Sequence, residues 1–194
     1  MLFNTLSNLD DLIDESPEQA HVMLAHLIDF LRSTLSGSRV NQHALGNEFK
    51  LASDYLSLMQ IRMGDRLQTS LNLPLELSEA QVPAMLLQPL VENAIKHGLE
   101  TRKEGGHLDV TAQSQEGDLI LQVSNSGASD HQAIGTEEAL NGNSGGFGLQ
   151  YVKDRLQALY GATASLQLQH LVEDNLTVLT LRMPLRPPTH RSVP

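Results

Sequence analysis

Four polar residues within the segment 86–98 bring together groups that can bind a metal ion and phosphate. If the segment is a helix, Glu92, Asn93, Lys96 and His97 lie on one face at three- and four-residue spacings. An asparagine carbonyl suits a hard cation such as Mg²⁺, and a lysine one turn away suits the phosphates that the cation bridges. A solvated helix face with a Glu92–Lys96 pair has the same spacing, so these residues alone leave both interpretations open.

The opposite side of this helix carries an apolar stripe that is wide enough to lie against a sheet. The residues of the stripe are Leu87, Leu90, Val91, Ala94 and Ile95. Alternating apolar and polar residues predict strands at 67–73, 108–112, 119–123, 164–171 and 176–183. A further helix is predicted over 149–160, with Gly161 as its C-terminal cap. This order predicts an α+β fold in which a mixed sheet carries helices on one face.

The first third of the chain has the periodicity of helices. Two apolar stripes follow each other within residues 2–31, which predicts an N-terminal helical hairpin. From Leu45 to Met63 the apolar residues alternate steps of four and three, the spacing of a coiled coil or antiparallel bundle. We expect this narrow stripe to pack on few helices, including those of a second subunit; a core helix within one monomer is the alternative. Residues 1–66 are therefore predicted to be a helical dimerisation region.

A long segment without periodicity, residues 128–145, separates two groups of glycines. Asn125-Ser126-Gly127 ends a predicted strand, and the Gly-Gly-Phe-Gly sequence 145–148 begins a predicted helix. Glycines there let backbone N–H groups approach a phosphate, and a helix N-terminus adds partial positive charge. A flexible linker has a similar composition, so one glycine run alone is a weak signal. A nucleotide site is favoured because the polar helix face and the two glycine-containing segments follow one another in this order.

Composition excludes several classes of partner and site. The 194 residues carry a net charge of -10, which argues against nucleic acid or an anionic membrane as the main partner. Without cysteine there can be no disulfide, thiolate catalysis or cysteine-based zinc site, which fits a cytoplasmic location. No apolar run approaches the length of a membrane span. The Pro-rich end, residues 186–194, is predicted to be a disordered tail.

In the polar helix face and in the two glycine-containing segments, the chain resembles the GHKL superfamily of ATP-binding domains. This superfamily includes gyrase-type ATPases, a chaperone class and the histidine kinases. Residues 92–98 are similar to its N box, 125–127 to its first glycine box and 146–149 to its second. LLQPLVENAIKHG, GGFGLQYVKDRLQALYG and the Arg-Met-Gly-Asp-Arg that ends the bundle helix are similar to LytS-type sensor histidine kinases. The resemblance implies a GHKL (Bergerat-type) α/β sandwich with a mixed sheet over residues 67–185.

The resemblance also implies a Mg²⁺-ATP site. Asn93 would hold Mg²⁺, Lys96 and His97 would face the phosphates, and Glu92 with Asn93 would act in catalysis. Adenine and triphosphate would be surrounded by Asn125, Gly127, Gly145, Gly146, Phe147, Gly148 and Leu149. Residues 128–145 would be the ATP lid. Asn125 stands where the family usually has Asp, and its carbonyl can still accept the adenine amino hydrogen, without the charge that strengthens the bond.

The family's phosphorylated histidine stands in a Pro-His-Phe-x-Phe-Asn pattern, and residues 2–4 (Leu-Phe-Asn) are similar to its end. By this comparison the histidine would lie one residue before Met1, and we expect a chain truncated just after its phosphoacceptor. His21 and His26 lack the surrounding motif, so we interpret them as ordinary histidines of a helix.

The implied function is that of the catalytic, ATP-binding part of a two-component sensor histidine kinase, which transfers the γ-phosphoryl group to a histidine on another or longer chain. The implied partners are a second copy bound through the N-terminal helices, a response regulator, and a full-length kinase or upstream sensor region. Two alternatives remain open: a non-catalytic ATP-binding and dimerisation module that regulates a full-length kinase, and a GHKL ATPase. The ATPase would need a general base for water, and Gln88 is a poor one.

Overall fold

Five strands form one mixed sheet, and a separate pair of short strands lies outside it. The computed structural model describes residues 9–10, 13–14, 16–18, 20–25, 27–28, 42–100, 102–127 and 146–185. Its strands are β1 (Gln42–Ala44), β2 (Leu67–Asn72), β3 (Gln81–Pro83), β4 (Gly106–Gln115), β5 (Asp118–Ser126), β6 (Ser165–Leu171) and β7 (Leu176–Pro184). The sheet order is β2-β4-β5-β7-β6, with β2 parallel to β4 and all other neighbours antiparallel. The predicted α+β fold with a mixed sheet is confirmed.

Helices cover one face of this sheet. They are α1 (Leu45–Met63), α2 (Leu87–Asn93), a π-helical turn (Ala94–Leu99) and α3 (Gly146–Tyr160), with short 3₁₀ turns at Gly64–Arg66, Leu75–Leu77 and Gly161–Thr163. Apolar side chains of α2 share one core with Leu108 and Val110 of β4. Asp109 and Thr111, which alternate with them, are only half-buried, as expected for a strand covered on one face.

The two short strands connect the beginnings of α1 and α2. β1 pairs antiparallel with β3, and His43 lies opposite Val82. β1 leads directly into α1, and three residues separate the end of β3 from the start of α2. The pair therefore fixes the two helix beginnings next to each other.

α1 is a core helix of this chain and not a narrow coiled-coil seam. All of Phe49, Ala52, Leu56 and Met59 are buried in the single core that includes α2 and the sheet. The expectation that this stripe packs against a second subunit is wrong, and the alternative of a core helix within one monomer holds. The buried face is wider than the seam because residues between its positions, such as Leu58, are buried as well.

The described N-terminal residues are partly helical. Within residues 20–25 and 27–28, Met23 and Leu27 join the core. The remainder of the predicted helical hairpin, the lid 128–145 with Gly145, and the tail 186–194 lie outside the described residues. Within the described residues, no helix has the length and apolar character required to cross a membrane.

Candidate functional site

The polar face predicted from the sequence spans a change of helix type. Glu92 and Asn93 end α2, whereas Lys96 and His97 lie in the π-helical turn. In this turn the N–H of Glu100 donates to the carbonyl oxygen of Ile95 at 2.8 Å. π-Helical turns are rare and occur often at functional sites. The four polar residues are half-buried or exposed while their apolar neighbours are buried, so the predicted two-sided character is confirmed.

Glu92 is held by a residue one turn earlier in its own helix. The Nε2 group of Gln88 donates to Glu92 Oε1 at 2.8 Å, and Gln88 is only 5% exposed. Tyr55 of α1 is buried nearby: burial, and after it the Glu92 carboxylate, raise the pKa of Tyr55 above its ordinary value. A carboxylate with one oxygen bound to a buried amide is oriented, which fits an orienting role better than that of a free base.

Asn93 and Lys96 offer the polar groups that a magnesium nucleotide needs. Asn93 is half-buried and Lys96 is exposed, and neither side chain has a hydrogen bond or ion pair to another described residue. The Asn93 carbonyl can therefore ligate a hard cation, and the Lys96 ammonium can meet phosphate oxygens.

The surroundings of His97 favour its neutral form. Partial desolvation of its ring, and then the Lys96 ammonium, lower the pKa of His97 below its ordinary value. A neutral imidazole can donate one hydrogen bond to a phosphate oxygen and still accept one.

The end of the π-helical turn meets the end of β5 through Gly98 and Asn125. Asn125 is 3% exposed, and its Nδ2 donates to the carbonyl oxygen of Ser126 at 3.2 Å. This bond leaves Asn125 Oδ1 as an acceptor. A Cβ at position 98 would lie 2.1 Å from Asn125 Nδ2, so only glycine allows the approach. In the sequence Gly98 is only the end of a motif, and no local pattern predicts its contact with Asn125.

Gly127 is fixed by the hairpin between β6 and β7. Its N–H donates to the Asn175 carbonyl oxygen at 2.6 Å, and its carbonyl oxygen accepts from Thr177 Oγ1 at 3.1 Å. A φ of +99° favours glycine, and a Cβ here would lie 2.0 Å from Nη1 of Arg102. His170 Nδ1 lies 3.0 Å from the same Thr177 hydroxyl. Sequence reasoning missed Thr177 and Arg102, which carry no local motif.

The second glycine group lies beside the start of α2. Gly146 and Phe147 begin α3, and a Cβ at Gly148 would lie 3.3 Å from Pro89 Cβ. Leu149 is 1% exposed and packs in the core, so a nucleotide contact at this position would come from the backbone. The described residues thus bring the helix that carries the N box close to both glycine groups, through Gly98 on one side and Pro89 on the other, and the donors fit a magnesium nucleotide. The individual ligand roles remain predictions.

Two family models match the chain. The one described as "Histidine kinase" matches residues 1–67, and the one described as "Histidine kinase-, DNA gyrase B-, and HSP90-like ATPase" matches residues 80–187. The first of these ends within β2, and the second covers the site from β3 to β7.

The chain is also similar to individual sensor proteins. Sensor protein LytS of Staphylococcus epidermidis is 31% identical over 171 residues, which cover 86% of this chain and 29% of that protein. Sensor histidine kinase BtsS of Escherichia coli is 32% identical over 186 residues, covering 95% of this chain and 31% of that protein. This chain therefore spans less than a third of the length of these relatives.

A solved structure shares the fold. Histidine kinase ThkA, in complex with response regulator protein TrrA, superposes with a TM-score of 0.56 at 13% identity over 94% of this chain and 58% of that chain. At such low identity the likeness concerns the fold alone. Because the second family model matches more than half of the chain, the chain belongs to the histidine kinase-, DNA gyrase B-, and HSP90-like ATPase family.

Proposed function

We propose that this chain binds Mg²⁺-ATP and is the catalytic part of a two-component sensor histidine kinase. The observation that supports it best is the contact between Gly98 and buried Asn125. It joins the N-box helix, by which we mean α2 with its π-helical turn (residues 87–99), to the end of β5 that would bind the base. The same helix presents Asn93 and Lys96 without partners among the described residues. The last turn of this helix would then lie against the base, and the residues just before it would meet the phosphates.

In this proposal the chain acts by positioning and by neutralising charge. Asn125 Oδ1 accepts the adenine amino hydrogen, and Asn93 holds Mg²⁺, which would neutralise charge on the phosphates. Lys96 and His97 contact phosphate oxygens, and the backbone at Gly127, Gly146 and Gly148 approaches the nucleotide. Glu92, oriented by Gln88, positions the accepting group.

The phosphoryl acceptor is proposed to be a histidine on another or longer chain. His21 lacks the acceptor motif, and its Nδ1 is hydrogen-bonded to the Pro17 carbonyl oxygen at 2.8 Å. His26 lies outside the described residues. A response regulator aspartate would then receive the phosphoryl group, and the complex of ThkA with a response regulator supports that class of partner.

A homodimer through the N-terminal helices is the second proposed partnership. Leu24 and Ile28 are 41% and 45% exposed one helical turn apart, next to buried Met23 and Leu27. A second apolar face of this kind suits a partner helix. A full-length kinase or upstream sensor region would use the same face. Because the proposed substrate is ATP, we also propose that this part of the protein works in the cytoplasm.

The test of the proposed function combines binding and transfer. Mg²⁺-dependent ATP affinity is measured for the wild type and Asn93→Ala, with exposed Asn72→Ala of β2 as the matched control. We expect Asn93→Ala to lose the Mg²⁺-dependent part of the affinity and Asn72→Ala to keep it. γ-Labelled ATP is then supplied with an N-terminally extended chain that carries the acceptor histidine. Absence of acid-labile label on that chain, with nucleotide binding intact, would leave only a non-catalytic binding module.

A further inference from the structure

A buried carboxylate from α1 forms the N-terminal cap of α2. Glu48 is completely buried, and its two oxygens accept the backbone N–H groups of Met85, Leu86 and Leu87 at 2.7, 2.8 and 2.7 Å. His43 Nε2 lies 2.6 Å from Glu48 Oε1, the oxygen that also accepts from Met85. Four partners surround a charge that water does not reach.

This cap replaces one that the local sequence does not supply. The first N–H groups of a helix have no partner within the helix, and a carboxylate there also interacts favourably with the helix dipole. Leu86, at the N-cap position of α2, forms no side-chain cap. Burying an unpaired carboxylate would be strongly unfavourable, so the close geometry at Glu48 is required for the fold. The beginning of the N-box helix is therefore attached to the beginning of α1.

The far end of the N-box helix is attached to the far end of α1. Arg62 of α1 forms an ion pair with Glu100, which directly follows the π-helical turn. The Arg62 side chain is 11% exposed, so the pair is partly shielded from water. Between the two ends, Tyr55 lies close enough to Glu92 for the carboxylate to contribute to the raised pKa of Tyr55. α1 and the N-box helix thus run side by side in the same direction, with polar contacts at both ends.

The residues proposed for Mg²⁺ and phosphate lie between these two attachments. Asn93 and Lys96 are on the segment that Glu48 holds at its start and Arg62 holds at its end. A tilt or shift of α1 must therefore move them relative to Asn125, which belongs to the sheet and not to α1. On this basis, and resting on the proposed nucleotide site, we infer that Glu48 and Arg62 are positioning residues that set the affinity of that site through α1.

The ion pair provides the cleaner test because its charges can be exchanged. MgATP dissociation constants are measured for Arg62→Glu, Glu100→Arg and the double variant, at a temperature that thermal unfolding of each variant shows to lie below its midpoint. Each single variant should weaken MgATP binding about fivefold, and the double variant should regain wild-type affinity. The matched control exchanges exposed Lys50 and half-buried Asp54, an ion pair on the same helix, and should leave affinity unchanged.

Glu48→Gln tests the attachment at the start of α2. The amide keeps the shape of the side chain, but it cannot accept all the hydrogen bonds that the backbone N–H groups of residues 85–87 donate to the carboxylate. It should also weaken MgATP binding several-fold. If an exchange variant fails to fold, Arg62→Gln and Glu100→Gln remove the pair without a like-charge contact. A fall in the unfolding midpoint with unchanged MgATP affinity would overturn the inference and leave a purely structural role. Wild-type protein that binds no MgATP would instead overturn the proposed function itself.

Discussion

Gly98, at the end of the N box, lies so close to Asn125 that a methyl group at position 98 would overlap the Asn125 amide, at 2.1 Å from Nδ2. The two residues are far apart in sequence, and the contact joins the helix that carries the polar face to the central strand β5. The position of the Asn125 amide is therefore set by a helix that itself carries the proposed phosphate ligands.

Gly98→Ala should displace the Asn125 amide and weaken ATP binding at least tenfold. Overpacking of this kind costs about 1–3 kcal/mol of folding free energy. The control is Gly117→Ala in the β4–β5 turn, where φ is +88° and no atom lies within 4 Å of the added Cβ. That variant should lose about 1 kcal/mol of stability through backbone strain and keep its ATP affinity. Isothermal titration and chemical unfolding of both variants check the prediction, and equal ATP affinities would contradict it.

Asn125→Ala should weaken ATP and ADP binding to the same extent, by about 1–1.5 kcal/mol. The reason is that Asn125 Oδ1 is proposed to contact the base, which both nucleotides share. Thr69→Ala on β2, which removes a partner of Gln60, serves as the control remote from β5. Competition titrations with both nucleotides give the ratio of the ATP affinity loss to the ADP affinity loss. A selective loss of ATP affinity alone would assign Asn125 to the phosphates.

Lys96→Ala, unlike Asn125→Ala, should affect the affinities for different nucleotides unequally. Its ammonium is proposed to meet the phosphates, so binding should weaken more for ATP than for ADP, and little for adenosine. The lost interaction is a charge-assisted bond of about 1.5–3 kcal/mol for ATP. Lys153→Ala on α3 is the control for removal of one positive charge. Uniform weakening of all three ligands would argue for a general loss of structure.

His97 predicts a pH dependence of stability. Its pKa is lowered in the folded protein, so the unfolded chain binds the proton more tightly. The free energy of unfolding should therefore be unaffected by His97 above its ordinary pKa and should fall as the pH drops through the lowered value. His97→Gln cannot titrate and should lose less stability between pH 7 and pH 5. Parallel urea titrations across that range measure the difference, and identical slopes would contradict the assignment.

The sheet and its covering helices could be predicted because period-two and helical patterns are local. Alternation along β4, β5 and β7 and the stripe of α2 determine which side is buried, and the structure agrees. The polar face at Glu92 and Asn93 could be identified for the same reason, as its residues are neighbours in sequence.

Other features depend on contacts that no local pattern records. β1 and β3 have three residues each, too few for a periodic signal. The four-and-three spacing predicts a narrow α1 stripe because it leaves out buried residues such as Leu51 and Leu58, and because Glu48 counts as polar although it is buried as the cap of another helix. The contact of Gly98 with Asn125 likewise depends on topology.

The cap at Glu48 also has a consequence for the order in which the chain folds. α2 has only seven residues, too few to form an isolated helix, and its capping carboxylate belongs to a segment far upstream. We therefore expect the N-box helix to form only when α1 has docked. The amide hydrogens of Met85, Leu86 and Leu87, whose acceptor is that carboxylate, should exchange with solvent only when α1 detaches, and their exchange rates then report how often the two helices separate.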